Sequence, residues 1–305
     1  MKIIKKPRGT NATTLFLPMI LLMVTTAPAN SQEQFKVADL GEVQLHYKIM
    51  GEGTPLILIH GSLADIRYWT AQEADLAEAY KVINYSRRYN FPNSNNPGKD
   101  HSAAVEASDL LAFMDLLNIT EANILGHSYG AFTALLFALE HPGRIKNLIL
   151  AEPPLLRLLP YIPNGNDLFL DFMTNSWNPM GKAFGISNED GLEATAQWYF
   201  DTSFKNISLE WQIYFRDNVK EWKALAISAD AFPFIDPERL TSLTIPTLLL
   251  SADQNQGGLF DLIDTELARL LANSQRKIIE NSSHEMFQDN PEATNKAILD
   301  FLSEN

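Results

Sequence analysis

The distribution of hydrophobic and polar positions predicts short strands alternating with helices. Residues 56–59 read Leu-Ile-Leu-Ile, a continuous aliphatic run typical of strands buried on both faces of a parallel sheet. Similar short runs recur at 82–83, 124–125, 148–150, 248–250 and 277–279. Residues 43–49 instead alternate apolar and polar side chains, which is the pattern of a half-exposed edge strand.

Between these runs lie patterns of helical period, at 68–78, 103–117, 129–140, 259–271 and 291–302. Such alternation implies right-handed crossovers, and it predicts an α/β fold with a doubly wound, mostly parallel sheet of about eight strands. Ligands of these sheets bind outside the carboxyl ends of the strands. Five chemically capable residues directly follow predicted strands, or come shortly after one, so we expect them on one rim: His60, Ser128, Glu152, Asp253 and His284.

One segment, at about 155–236, interrupts this rhythm after the sixth strand. It contains no buried-strand run, but helical patterns occur at 168–174, 191–200 and 209–225. These 82 residues hold 15 of the 31 aromatic side chains of the chain. We therefore predict a helical insertion above the rim. Its aromatics either pack a core of their own or line a substrate cavity below, and the pattern leaves both open.

The N-terminal residues 1–31 have the composition of a secretory signal peptide. Four basic residues precede an apolar run at 15–24, and small residues follow at 27–31. The run of about ten residues is short for a membrane span, although an uncleaved anchor is an alternative. We expect a secreted or periplasmic protein, with no stable membrane span after cleavage, in which residues 32–305 form one α/β domain.

Charge and cysteine content exclude several classes of function. The formal charge is −13, and loss of residues 1–31, with their four basic and no acidic side chains, makes it −17. A surface this negative repels nucleic acid, so we expect no nucleic-acid partner. The chain has no cysteine, which excludes a thiol nucleophile and a thiolate metal site. We predict neither a cofactor nor a metal, and the oligomeric state stays open.

The most informative motif is Gly126-His127-Ser128-Tyr129-Gly130, at the junction of an apolar run and a helical pattern. It resembles the nucleophile elbow of the α/β-hydrolases, where a sharp turn exposes the serine Oγ above the sheet. The resemblance covers about residues 35–303. It extends to the branch of esterases, haloperoxidase-like perhydrolases and C–C bond hydrolases, which insert a helical cap where this chain has residues 155–236.

The resemblance implies a catalytic role for several residues. Ser128 is the expected nucleophile, and a serine hydroxyl needs an adjacent base. His284 is the candidate because it lies after the last strand and before the final helix. The backbone N–H groups of Ser62 and Tyr129 are the expected oxyanion hole, with His60 supporting the Ser62 turn. Arg87 and Arg88 are expected to pair with nearby carboxylates rather than to clamp an anionic substrate.

The acid of the triad is less clearly marked. In most of this superfamily an aspartate follows the seventh strand, and here Asn255 stands in its place. Some relatives carry the acid after the sixth strand, where this chain has Glu152, which we favour. Asp253, two residues before Asn255, is the alternative.

The function implied is a secreted serine hydrolase that cleaves carboxylic esters or similar small apolar acyl compounds through an acyl-enzyme. The alternative is a non-catalytic, ligand-binding or receptor-like member of the same fold. Asn255 is the residue that favours this alternative, because an amide cannot stabilise an imidazolium as a carboxylate does.

Overall fold

The computed structural model describes residues 35–98 and 101–305. The predicted signal peptide at 1–31 lies outside these residues. Among the helices described, none combines the length and the apolar character needed to cross a membrane.

The core of the molecule is one eight-stranded sheet with the order β1-β2-β4-β3-β5-β6-β7-β8. β1 pairs antiparallel with β2, and β2 antiparallel with β4, whereas the remaining pairs are parallel. The predicted fold class is therefore confirmed. The strands are β1 Lys36–Asp39, β2 Gln44–Met50, β3 Pro55–Ile59, β4 Lys81–Tyr85, β5 Ala122–His127, β6 Ile145–Ala151, β7 Thr247–Ala252 and β8 Ser274–Ile279.

Helices cover both faces of the sheet and form the insertion between β6 and β7. They are α1 Thr70–Ala77, α2 Ala103–Leu116, α3 Tyr129–Glu140, α4 Gly165–Phe172, α5 Asn178–Ile186, α6 Asn188–Phe200, α7 Leu209–Ile227, α8 Pro237–Thr241, α9 Leu259–Leu270, α10 Met286–Asp289 and α11 Pro291–Glu304. Short 3₁₀ helices occur as well, and a π-helical turn, Met173–Trp177, joins α4 to α5.

The alternation of side chains along the strands creates two separate apolar cores. In β3, Ile57 and Ile59 face the core shared with α2, α3 and α9. Leu56 and Leu58 face the core shared with α1, α10 and α11. Burial on both faces explains why this strand reads as a continuous aliphatic run.

The register of the parallel strands aligns their carboxyl ends. Ile59 of β3 lies opposite Gly126 of β5, and His127 lies opposite Ala151 of β6. Ala151 in turn lies opposite Leu250 of β7. The residues that follow these strands consequently emerge along one rim of the sheet.

Four elements were missed by the sequence pattern, and two were described wrongly. β1 has a single buried residue, so it shows no periodicity, and the helices α5, α8 and α10 were not predicted. Residues 43–49 were expected to form an edge strand, but β2 lies between β1 and β4. The run at 277–279 was expected to be buried on both faces. β8 is instead the edge of the sheet, where Ile278 is 41% exposed, because it pairs only with β7.

The insertion, defined here as residues 152–246, holds helices α4 to α8 and no strand within the described chain. Most of its aromatic side chains pack against one another. Trp177 and Trp222 are buried with ring centroids 5.3 Å apart, and Phe184 and Phe215 are buried in the same cluster. Much of the aromatic content therefore builds the core of the insertion.

Candidate active site

Ser128 lies at a sharp turn between β5 and α3. Its backbone has φ 51° and ψ −121°, a region that side chains other than glycine rarely occupy because of steric strain. The turn is held by its neighbours, since Ser128 N–H donates to Ala151 O at 2.8 Å and the N–H groups of Ala131 and Phe132 donate to Ser128 O. The side chain remains partly exposed.

The two glycines of the motif permit close backbone approach. A Cβ on Gly126 would lie 2.5 Å from Ala131 Cα, and one on Gly130 would lie 2.2 Å from Ile59 O. Both contacts are with backbone, which cannot move aside as a side chain can. Gly130 thus allows α3 to begin directly against the end of β3, and this brings the residues after β3 beside Ser128.

His284 lies in the loop after β8 and contacts Glu152 at the end of β6. Its Nδ1 lies 2.6 Å from Glu152 Oε2. Burial alone would lower the pKa of His284, but the hydrogen bond and the charge of Glu152 raise it above its ordinary value. The favoured acid and the predicted base are therefore in direct contact.

The Glu152 carboxylate is fully buried and held by two further donors. Its Oε1 accepts the Ala252 N–H at 2.9 Å, and its Oε2 accepts Asn255 Nδ2 at 2.8 Å. Asn255, which stands where most of the superfamily has an aspartate, donates to the carboxylate that contacts His284. The sequence did not reveal this role. An amide at the usual acid position, together with a carboxylate after the sixth strand, was the available signal.

Asp253 has a different environment. Its two carboxylate oxygens accept the N–H groups of Asn281 and Ser282 at 2.8 and 2.9 Å. These backbone hydrogen bonds lower the pKa of Asp253. In residues 101–305 it makes no hydrogen bond to His284, so the structure brings Glu152, and not Asp253, to the imidazole.

Two aromatic rings also contact the imidazole of His284. Phe260 stacks on it with ring centroids 4.2 Å apart and an interplanar angle of 12°, and the His127 ring lies at 4.7 Å. His127 Nε2–H donates to the His284 carbonyl at 2.9 Å, and burial lowers the pKa of His127 so that it stays neutral. His127 thereby connects the elbow to the loop of the base.

No hydrogen bond joins Ser128 Oγ to His284 among the described residues. Such bonds are often long without substrate and shorten in the reacting complex. Ser128 and His284 are nevertheless both partly exposed, whereas Glu152, which contacts the imidazole, is fully buried.

The turn after β3, Gly61–Leu63, lies against the elbow. A Cβ on Gly61 would lie 3.0 Å from Ser128 Cβ. His60 supports the turn as expected: its Nδ1–H donates to Gly61 O at 2.9 Å. In the part of the chain that the structure describes, the N–H groups of Ser62 and Tyr129 donate to no protein acceptor. Two free donors therefore lie beside Ser128.

Arg87 and Arg88 bind carboxylates, as the sequence suggested. Arg88 forms a bidentate ion pair with Asp109, and Arg87 forms ion pairs with Glu106 and Glu221. Glu221 belongs to α7 of the insertion, and this contact was not anticipated.

A cavity of about 590 Å³ lies within the insertion, between the 3₁₀ helix Leu156–Tyr161, α4, α5 and the loop after α7. Phe169, Trp177 and Phe232 line it, but neither Ser128 nor His284 does. The Phe232 ring lies 5.7 Å from the ring of Tyr129, the residue after Ser128. Over residues 35–98 and 101–305, no group of three or more acidic or histidine side chains is arranged to hold a metal ion.

The fold and this site define an α/β-hydrolase. The family model described as the alpha/beta hydrolase fold matches residues 54–291, and the chain belongs to this family. It is 26% identical over 288 residues to the non-heme chloroperoxidase CPO-A1 of Kitasatospora aureofaciens, covering 86% of this chain and 96% of that protein.

A second relative is the 2-hydroxy-6-oxononadienedioate/2-hydroxy-6-oxononatrienedioate hydrolase 2 of Pseudomonas putida. It is 27% identical over 276 residues, which are 86% of this chain and 92% of that protein. Among solved structures, the enol-lactonase from Burkholderia xenovorans LB400 superposes with a TM-score of 0.70 at 20% identity, over 88% of this chain and 100% of that one. The prediction of a hydrolase is confirmed at the level of the family.

Proposed function

We propose that this protein is a serine hydrolase that cleaves carboxylic esters or similar acyl compounds. The observation that carries the proposal is the 2.6 Å contact between His284 Nδ1 and the buried Glu152 carboxylate, on the same rim as a strained serine at an elbow. A neutral imidazole oriented by a carboxylate is the base that a serine nucleophile requires.

In the proposed reaction, Ser128 Oγ attacks the carbonyl carbon of the substrate while its proton passes to Nε2 of His284. The electron pair of the carbonyl π bond moves to its oxygen, and the N–H groups of Ser62 and Tyr129 stabilise this oxyanion. Collapse of the intermediate breaks the ester C–O bond, and the leaving alcohol takes the proton from His284. Water then repeats the sequence on the acyl-enzyme and regenerates Ser128.

Glu152 provides the charge that balances the imidazolium formed in each half-reaction. Its other donors, Ala252 N–H and Asn255 Nδ2, hold the carboxylate in place. Asn255 was the residue that favoured a non-catalytic protein. Its hydrogen bond to Glu152 removes that support, because the amide supplements an acid and does not replace one.

We propose a small, apolar acyl group for the substrate. Phe169, Trp177 and Phe232 form an aromatic wall of the cavity in the insertion, beside Arg157 and Lys182, and an apolar acyl chain would pack against these three rings. The relative named as a 2-hydroxy-6-oxononadienedioate/2-hydroxy-6-oxononatrienedioate hydrolase supports hydrolysis at this site and not the apolar character of the acyl group.

The test is turnover of p-nitrophenyl esters by the purified protein, compared with Ser128→Ala. The variant should lose about 10³- to 10⁶-fold in kcat with unchanged melting, and a fluorophosphonate should label the wild type at Ser128 in a peptide map. Equal turnover by both proteins, or labelling at another serine, would refute the proposal.

We further propose export from the cytoplasm, from the basic, apolar and small-residue segments of residues 1–31. N-terminal sequencing of exported protein should find Asn30 or Gln32 as the first residue. A chain that begins at Met1 and remains in the cytoplasm would contradict this.

A further inference from the structure

A buried ion-pair network connects the insertion to the turn beside Ser128. Arg87, Glu106 and Glu221 come from the end of β4, from α2 and from α7, and each is at most 2% exposed. Arg87 Nη1 lies 2.6 Å from Glu106 Oε2, and Arg87 Nη2 lies 2.7 Å from Glu221 Oε1. Buried ion pairs are costly to desolvate, and apolar residues of similar volume often give equal or better stability. Stability alone therefore does not account for this network.

The network holds both peptide groups that flank Ser62. Arg87 Nη2 donates to Gly61 O at 3.1 Å, and Leu63 N–H donates to Glu221 Oε2 at 3.2 Å. The carbonyl of Gly61 and the N–H of Ser62 belong to one planar trans peptide, so they point in opposite directions. An anchor on Gly61 O consequently fixes the direction in which the Ser62 N–H points.

The backbone of Leu63 shows that this turn needs an external restraint. Its φ is 58°, in the left-handed region that β-carbon-bearing residues rarely adopt and that persists only where the surroundings impose it. Glu221 accepts the N–H of this residue. The Glu221 carboxylate therefore restrains the strained Leu63 backbone, directly after the proposed donor Ser62.

The same network contacts Tyr129, whose N–H group is the other proposed oxyanion donor. The guanidinium carbon of Arg87 lies 5.1 Å from the centroid of the Tyr129 ring, within the range of a cation–π contact. The Tyr129 hydroxyl donates to Ala231 O of the insertion at 2.7 Å. The Ser62 turn and Tyr129, which supply the two proposed oxyanion donors, are thus anchored on the Arg87–Glu221 pair or on the insertion.

We propose that Glu221 is a positioning residue for the oxyanion hole, so that helix α7 of the insertion sets the geometry of the Gly61–Leu63 turn. This inference rests on the proposed hydrolase function, but it concerns a residue that contacts no substrate. It predicts that removal of the Glu221 charge impairs stabilisation of the transition state and leaves substrate binding nearly unchanged.

Asp217 is a matched control on the same helix. It lies one turn before Glu221 and pairs with Arg67 at 2.8 Å, so it also joins α7 to the sheet domain, and it makes no contact with Gly61–Leu63 among the described residues. Both side chains of that pair are about one-third exposed, and exposed pairs contribute little to stability. If α7 served only to dock the insertion on the sheet, substitution of Glu221 and substitution of Asp217 would have similar effects on kcat.

The experiment compares Glu221→Gln and Asp217→Asn with the wild type in ester turnover and in inhibition by a trifluoromethyl ketone. This inhibitor adds to the serine Oγ and forms an oxyanion without a leaving group. We expect Glu221→Gln to lower kcat by about 10- to 100-fold, less than the loss of a whole donor, with KM within about twofold. Its inhibition constant should rise in proportion, and Asp217→Asn should leave both values within about twofold.

Hydrogen exchange of the segment 61–64, followed by mass spectrometry, tests the restraint without turnover. Exchange should be faster in Glu221→Gln and unchanged in Asp217→Asn, because Leu63 N–H loses a charged acceptor. Titration of active sites by the burst of p-nitrophenol corrects kcat for any unfolded protein.

Unchanged exchange in Glu221→Gln, equal losses in the two variants, or a loss in kcat with unaltered ketone inhibition would overturn the proposal. An inactive wild type with faster exchange in Glu221→Gln would instead refute the proposed hydrolase function alone.

Discussion

Substitution of Glu152 by glutamine tests the contact on which the proposed mechanism depends. Glu152 Oε2 accepts His284 Nδ1–H and Asn255 Nδ2, and Oε1 accepts Ala252 N–H. A glutamine has one acceptor oxygen and one donor NH₂ group. In either orientation, therefore, its NH₂ faces at least one N–H donor in a fully buried site.

The kinetic cost follows from the loss of charge. The better orientation keeps the oxygen towards His284 and directs the NH₂ towards Ala252 N–H, so the imidazole stays oriented but loses its counter-charge. We expect kcat to fall by about 10² to 10⁴, which is about 2.7 to 5.4 kcal/mol of transition-state stabilisation. The unpaired Ala252 N–H should cost about 1–3 kcal/mol of folding stability.

The pH dependence provides a second measure. Glu152 raises the pKa of His284, and the imidazole must be neutral to act as a base, so wild-type activity should fall as the pH drops through a value above the ordinary 6.5. Loss of the carboxylate lowers this pKa, and the acidic limb of kcat/KM should move to lower pH in Glu152→Gln. The measurement is kcat/KM for a p-nitrophenyl ester between pH 5 and 9, roughly the range in which histidine titrates.

Asp253→Asn is the control, because Asp253 binds the backbone of the loop that carries His284 and not the imidazole. Its kcat should stay within about tenfold of the wild type, as expected for a substitution outside the reacting groups. Both variants must first be compared by denaturant unfolding. A larger kinetic loss for Asp253→Asn than for Glu152→Gln would refute the assignment of the acid, and small losses for both would favour a non-catalytic protein.

Three further predictions concern the same site. Asn255→Ala removes a donor to Glu152, so kcat should fall by about tenfold, and the acidic limb should move to higher pH, opposite to Glu152→Gln; a shift in the same direction would contradict the role of Asn255. Gly130→Ala places a Cβ 2.2 Å from Ile59 O and should lower the free energy of unfolding by about 1–3 kcal/mol. Gly143→Ala, whose Cβ would have nothing within 4 Å, should leave it unchanged. Equal denaturation midpoints for the two variants would contradict the close approach at Gly130. Each added acyl methylene should raise kcat/KM by about fourfold, from about 0.8 kcal/mol of burial, until the pocket is full, and a flat profile from acetyl to hexanoyl would mean that the aromatics only pack the insertion.

The sequence alone determined the fold and the order of the chemical groups. Aliphatic runs such as 56–59 predict buried parallel strands because a strand covered on both faces must be apolar throughout. The Gly-x-Ser-x-Gly motif marks the elbow because only glycine tolerates the backbone contacts found at Gly126 and Gly130. These signals are local, and they need no knowledge of distant residues.

Tertiary structure alone decided which groups meet. Glu152 and Asp253 both follow a strand, and the sequence favoured Glu152 only through the resemblance to relatives that carry the acid after the sixth strand. The carboxylate of Glu152 reaches His284, 132 positions away, whereas Asp253 turns to the backbone of Asn281 and Ser282. The contact between Glu221 and the Gly61–Leu63 turn spans 158 positions and left no trace in the hydrophobic pattern. Hydrogen bonds of this kind depend on how helices dock on the sheet, and that geometry arises only when the whole chain packs.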